Sequence, residues 1–235
     1  MAGTRFYLPE TQAAPVTPPA PSGTDWEHVN GVTRSLLTVA DSSTLTTTAY
    51  TPDASDHLAQ GDACHRSYVS AALAAQTISG NVKGQVQCLE ANGNNAQFLT
   101  LKILVISQDG TTTRATLLAI TRDTTNVMST SLQNRDFPST ALTNYTCIDG
   151  DRLCVEIGSG GLPVAGVGTQ GHNASLRFGC NASSGDLPAD DTTTATTWRP
   201  WIEFSAVLAF FTRGAVYALA GPGGGLVGEA RGLAG

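Results

Sequence analysis

The chain has 235 residues, a formal net charge of −6 and a pI near 5.0, and only 14% of its side chains are charged, against roughly 25% in an average soluble domain. Its 13 Lys and Arg are scattered, which excludes the basic stripe that nucleic-acid binding needs. Hydrophobic residues reach 41%, enough for one sizeable core, but no apolar run is long enough for a spanning helix, so no membrane partner is expected.

A surface poor in charge is covered here by Thr, Ser, Asn, Gln and Gly, which suit strands and turns better than exposed helices. The first 21 residues lack the basic segment and apolar stretch of a secretory signal. Thr4 to Pro9 form an extended apolar patch, and Ala13 to Pro21 a stiff proline-rich stretch with few backbone donors. Residues 1–25 therefore read as an arm and spacer outside the core. Arg5, Phe6, Tyr7 and Leu8 are its candidate interface residues, docking on the chain's own domain or on a neighbour.

After Trp26 a first strand is expected at 34–39, then a polar loop or loosely paired edge at 41–56. Val82, Gly84, Val86 and Cys88 alternate with Lys83, Gln85 and Gln87, the period-2 mark of a strand with one buried face. Leu99, Leu101, Ile103 and Val105 repeat that pattern over 98–106. Asp109-Gly110 supplies the positive φ of a tight hairpin, so 113–119 returns antiparallel. At most a short helix is expected near Met128 to Leu132. Residues 134–138 read as a short connection, 149–151 as a turn, 152–157 as a strand and 158–171 as a glycine-rich loop. A strand at 174–178, a polar acidic loop at 181–197 and a last strand at 201–210 follow.

About eight strands divided by turn chemistry predict an all-β chain. The expected fold is an antiparallel β-sandwich, jelly-roll-like, over residues 26–212, with extended N- and C-terminal arms. The Gly-rich tail at 213–235 carries Tyr217, Leu226 and Val227 as further candidate interface residues; it is either a disordered tail or a second docking arm.

No catalytic constellation is recognisable. Cys64, Cys88, Cys147, Cys154 and Cys180 are irregularly spaced without a C-x-x-C pair, so buried reduced thiols are expected rather than disulfides or zinc. His28, His57, His65 and His172 lie in loop-like contexts with no nucleophile elbow nearby. Glu156 and Glu203 sit on predicted strands, and paired carboxylates serve glycoside hydrolysis. Alternation points both away from the core, however, where exposed positions or ion pairs account for them. Asp186, Asp190 and Asp191 have hard-cation chemistry without the spacing of a calcium loop. Trp201 is expected in the core and Trp198 at the sheet edge, with an exposed sugar-stacking pair as the rival reading. No cofactor, metal or catalytic residue is expected.

Several stretches together resemble a group of proteins encoded in tailed-phage genomes: Thr4 to Pro9, Tyr68 to Ser70 with Ala74 to Gly80, Val82 to Gln85, Asn134 to Pro138, Gly150 to Arg152 with Val155 to Gly158, and Pro200 to Ser205. The resemblance covers residues 3–210. It implies a virion component, made in the host cytoplasm, for which the group supplies no catalytic residues. The expected function is a non-enzymatic capsid decoration (cement) protein that bridges capsomers. Its partners would be the major capsid protein and itself, as a homotrimer matched to capsid symmetry. The alternative is a tail or baseplate carbohydrate-binding module that stacks a host glycan on Trp198 or Tyr145. A glycan-degrading enzyme using Glu156 or Glu203 comes last.

Overall fold

The computed structural model describes residues 3–19, 26, 28–50, 62–91, 97–125, 127–161, 174–188 and 197–211. Its strands, in chain order, are β1 (Thr4–Tyr7), β2 (His28–Val29), β3 (Thr33–Ser35), β4 (Thr46–Tyr50), β5 (Ala63–Val69), β6 (Gln76–Ile78) and β7 (Asn81–Glu90). They continue with β8 (Gln97–Ile106), β9 (Thr113–Arg122), β10 (Gln133–Ala141), β11 (Tyr145–Cys147), β12 (Arg152–Gly161), β13 (Ala174–Phe178) and β14 (Trp201–Phe204). There is no helix among the described residues; coil leading into β10 stands where a short helix was allowed for.

The chain folds as the expected antiparallel β-sandwich. The first sheet runs β1-β14-β7-β13-β4, and β10 also pairs with β7. β14 takes Val82–Gln85 and β13 takes Gln87–Glu90, so these two share one edge of β7 end to end while β10 runs along the other. The second sheet runs β2-β5-β12-β8-β9, with β3 also on β5, and β6 and β11 form a separate two-stranded ribbon. Only β2 and β3 pair in parallel, both with β5.

Between the sheets lies one core. Val82, Val86, Leu176, Ile202 and Phe204 come from the first sheet and Leu101, Ile103, Val105, Leu153 and Val155 from the second. The β8–β9 hairpin turns where Asp109-Gly110 predicted it. Gly110 has φ +79° and its N–H donates to the Ser107 carbonyl, while the Asp109 carboxylate accepts from the Ser107 hydroxyl and the Thr111 N–H.

Residues 4–19 dock on their own domain, and the expectation that the segment stays outside the core is corrected for Phe6 and Leu8. β1 pairs antiparallel with β14, and Phe6 and Leu8 are 0% exposed. Phe6 meets Phe204 and Phe210 edge-on, at ring-centroid distances of 5.9 and 6.1 Å. The chain then crosses to the other sheet. Glu10 pairs with Arg66 at 2.9 Å, the Gln12 carbonyl accepts from Ser35 N–H, and Ala14 and Val16 pack over Val69, Leu104, Ile106 and Cys154. This apolar patch on the second sheet's outer face needs side-chain cover rather than backbone hydrogen bonds, so a proline-rich cover serves it. A Cβ at Gly110 would come within 2.4 Å of the Thr17 carbonyl oxygen, so the hairpin tip and the wrapping segment fit only because that residue is glycine. Tyr217, Leu226 and Val227 lie outside the described residues.

Two further expectations change. Residues 134–138 belong to an edge strand, β10, whose register shifts between Phe137 and Thr140, where Pro138 sits. Proline is tolerated at such an edge bulge. The glycine-rich run does not end the preceding strand: β12 continues to Gly161, and a Cβ on Gly158 would lie 1.9 Å from the Ala63 carbonyl oxygen of the adjoining strand.

Truncating Phe6 removes a fully enclosed ring. Phe6→Ala is expected to destabilise the domain by about 3–5 kcal/mol, and deleting residues 1–12 should cost more. Urea-unfolding midpoints of the three proteins check this; a deletion variant as stable as the full chain would refute it.

Candidate functional site

The outer face of the first sheet carries the site. Because β14 sends Ile202 and Phe204 inward, Trp201 and Glu203 point outward; Trp201, expected in the core, is on the outer face yet only 5% exposed. On β7 the same alternation turns Lys83 and Gln85 outward. The registers align these residues in two rows, Tyr7–Trp201–Gln85–Asp136 and Arg5–Glu203–Lys83. Directly opposed side chains in an antiparallel sheet are neighbours, so each row is a contact set.

A loop folds over these rows and is tied down by one side chain. Gln85 Nε2 donates to the carbonyls of Gly185 (3.0 Å) and Arg199 (2.8 Å), and Gln85 Oε1 accepts from Leu187 N–H (2.9 Å). Gln85 is completely buried, and these bonds satisfy its amide. Asp186, at the middle of the loop, accepts from Trp201 Nε1 at 3.1 Å. The loop, the β14–β7 face and the β10 bulge enclose a groove of about 630 Å³, lined among others by Lys83, Asp136, Ser139, Asp186, Trp201 and Glu203.

Arg5 holds one wall together. Its guanidinium lies 3.9 Å from the Trp201 ring centroid, donates through Nε to Glu203 (2.8 Å) and through Nη1 to Asp186 (2.9 Å). Burial opposes the Arg5 charge, but the hydrogen bonds and charges of Asp186 and Glu203 outweigh it and hold the guanidinium above its usual pKa. Lys83 Nζ is 3.4 Å from Glu203 and 5.8 Å from the Trp201 centroid. The charged lining is Lys83 with the carboxylates of Asp136, Asp186 and Glu203, and the last two are already paired with Arg5.

The other candidates fall elsewhere. Glu156 faces outward from the second sheet as alternation predicts, yet it is not at an exposed position: it is fully buried, accepts from Trp26 Nε1 at 2.7 Å and lies 3.7 Å from Lys102 Nζ. Trp26 supplies the cover that strand alternation alone does not reveal. His65 is on β5 rather than in a loop and is also fully buried. Its Nδ1 lies 3.1 Å from the Thr48 carbonyl, which can only accept, so Nδ1 carries the proton and Nε2 accepts from the Ser159 hydroxyl at 2.9 Å. Burial, with the charge of Arg66, pushes the His65 pKa down to about 4.

His28 lies on β2; His57, His172, Asp190 and Asp191 are outside the described residues. The five cysteines are separate buried thiols, and burial pushes Cys64 and Cys88 up to about 12. Among the described residues no group of three or more His, Cys, Asp and Glu is placed to hold a metal. Trp198 is half-buried and its ring covers Gly185, and Tyr145 packs against the core, so neither forms an open stacking platform. Of the proposed interface residues, Phe6 and Leu8 are consumed by the core and Arg5 by the groove wall; Tyr7, opposite Trp201, is partly exposed. Sequence reasoning missed Gln85 and Asp136 as site residues. The period-2 pattern placed Gln85 outward, but Asp136 was hidden in a segment read as a connection.

No family model matches the chain, and no curated protein matches it. Two crystal structures of a CocE/NonD family hydrolase from Staphylococcus aureus are similar, with TM-scores of 0.42 and 0.41 and 9% identity, covering 86% of this chain and 36% of theirs. The structure of infectious bursal disease virus, Gx strain, has a TM-score of 0.22 and 12% identity over 74% of this chain and 44% of that one. The chain therefore spans about a third of the length of the hydrolase chains, and no activity is carried over from them. The expectation of a non-enzymatic phage-head decoration protein, with a glycan-binding tail module as alternative, is not upheld by these comparisons: two of the solved chains are of a hydrolase, at a similarity that carries no activity over to this chain.

The buried imidazole sets a pH dependence. His65 binds its proton more weakly in the folded chain than in the unfolded one. Stability is therefore unaffected by this group above its ordinary pKa of 6.5 and is lost as pH falls from there towards about 4, by about 3 kcal/mol in all. Urea unfolding at pH 7 and pH 5 should show this slope, and His65→Gln should flatten it; equal slopes in both proteins would refute the assignment.

Proposed function

We propose that the protein is a ligand-binding β-sandwich unit and that the groove over Trp201 is its binding site. The observation that carries this reading is that the groove's walls are fixed without any ligand. Gln85 fastens the 185–187 loop through three hydrogen bonds, and Arg5 clamps Asp186, Glu203 and the Trp201 ring together. A wall already ordered costs little further entropy when a ligand arrives. A volume of about 630 Å³ suits a small molecule or a few residues of a peptide. An aromatic ring beside a few fixed polar groups is the usual composition of such a site.

By contrast, the exposed large apolar residues Val29, Val39, Val127, Ile148 and Val207 lie on separate segments, as ordinary surface residues do. Glu203 and Asp186 are both engaged by Arg5 as wall elements, so binding, rather than a reaction at a carboxylate pair, is the function the geometry supports best.

The test follows the indole N–H resonance of Trp201 while neutral, anionic and cationic small molecules are added. At least one class is expected to shift it together with the signals of Gln85 and Asp136. Trp201 and Gln85 signals that no class moves would refute the proposal.

A further inference from the structure

Two cations share one indole ring, and they are held in different ways. Arg5 sits 3.9 Å from the Trp201 centroid with directed hydrogen bonds to two carboxylates, and its side chain is 25% exposed. It is part of the wall. Lys83 reaches the same ring only at 5.8 Å, near the outer limit of about 6 Å for a cation over an aromatic face. Its ammonium is 3.4 Å from Glu203, longer than the roughly 2.7–2.9 Å of a firm charge-assisted hydrogen bond, and its side chain is 53% exposed. Its flexible four-carbon stem lets the ammonium leave without disturbing the backbone.

We infer that the groove recognises an organic cation and that the Lys83 ammonium stands where the ligand's own ammonium group would bind. This rests on the groove being a binding site. The aromatic ring and Glu203 offer a cation its two best partners, a π-face and a carboxylate, in one place. An anionic ligand drawn by Lys83 would meet the Glu203 carboxylate beside it, with Asp136 and Asp186 also in the lining. Lys83 then acts as an internal competitor. It stays beside the Glu203 carboxylate when the groove is empty and yields to a cation that brings further contacts. Its charge is also the term that sets affinity, because each ligand cation must displace or approach it.

The experiment uses the full chain and three probes of similar size: spermidine, glutarate and triethylene glycol. Calorimetry gives affinity, and the Trp201 indole N–H signal shows that binding is in the groove. Spermidine alone is expected to move that signal. Lys83→Met keeps the stem and removes the charge, and should tighten spermidine binding about fourfold at low salt, the effect of removing one like charge about 5 Å away in water. The gain should shrink as salt is added. Arg114→Met makes the same change in net charge on β9 of the other sheet and should leave the affinity as it was; Glu203→Gln should weaken it. Unchanged urea midpoints confirm that the variants are folded. If glutarate or triethylene glycol moves the Trp201 signal and spermidine does not, the groove stands as a site but the cation assignment is overturned. If Lys83→Met binds spermidine no tighter than the unaltered chain, or no tighter than Arg114→Met does, the competitor role is overturned. If no probe moves the signal, the cation assignment fails together with the binding reading it rests on.

Discussion

The pairing of β1 with β14 sets both the core and the groove. Four residues run antiparallel to Trp201–Phe204, and their alternation sends Phe6 into the sandwich while Arg5 and Tyr7 face out. One register fixes both outcomes. A slip of a single residue would turn Phe6 to the surface and Arg5 into the core, an error of several kcal/mol on either count. The Arg5 contacts with Trp201, Glu203 and Asp186 are thus a by-product of burying Phe6, and the groove inherits its rigidity from the hydrophobic interior behind it. Gln85 repeats the arrangement on the next strand but one. Its backbone lies in the middle of the sheet, and its amide substitutes for the missing strand partner of the 185–187 loop.

The second sheet solves a different problem. Along β5, β12 and β8 both of its faces are buried, and polar groups are enclosed together with apolar ones. The Glu156–Lys102 pair under Trp26 and the His65–Ser159 pair have been taken out of water, which is unfavourable unless their hydrogen bonds are made inside. Trp26 and the Ala14–Val16 stretch cover the outer face, and the Thr48 carbonyl of the other sheet closes on His65. Such groups specify a single arrangement, because a shifted cover would leave a charge buried without its partner.

How much of this was legible in the chain differs by element. Period-2 runs around Val82 and Leu101, and the Asp109-Gly110 turn, identified the sandwich, since both signals are local. Three things were not local. Asn134, Arg135, Asp136 and Pro138 have poor strand propensity, and only pairing with β7 makes them a strand. Gly158 and Gly160 read as a loop, whereas both lie in β12, and close approach of the Ala63 backbone requires glycine at 158. The N-terminal segment read as an arm because prolines exclude it from a ladder, yet nothing prevents them from lying flat on a sheet's face. Of the site, Glu203 and Trp201 were visible as candidates; the groove was not, because it arises from registers joining β1, β14, β7 and β10 and from a loop fastened by Gln85.

The distance along the chain between β1 and its partner also has a kinetic side. Arg5 and Glu203 are separated by 198 positions, so β1 has no place to pair until β14 has left the ribosome. Through that interval Phe6 and Leu8 stay in water. Closing so large a loop is slow, and folding must await it. The apolar hook on β1 therefore emerges well before its receptor on β14, the order that invites capture by a chaperone or by another nascent copy. The adjoining prolines limit that hazard, since a segment with so few backbone donors is a poor template for adding strands from a neighbour.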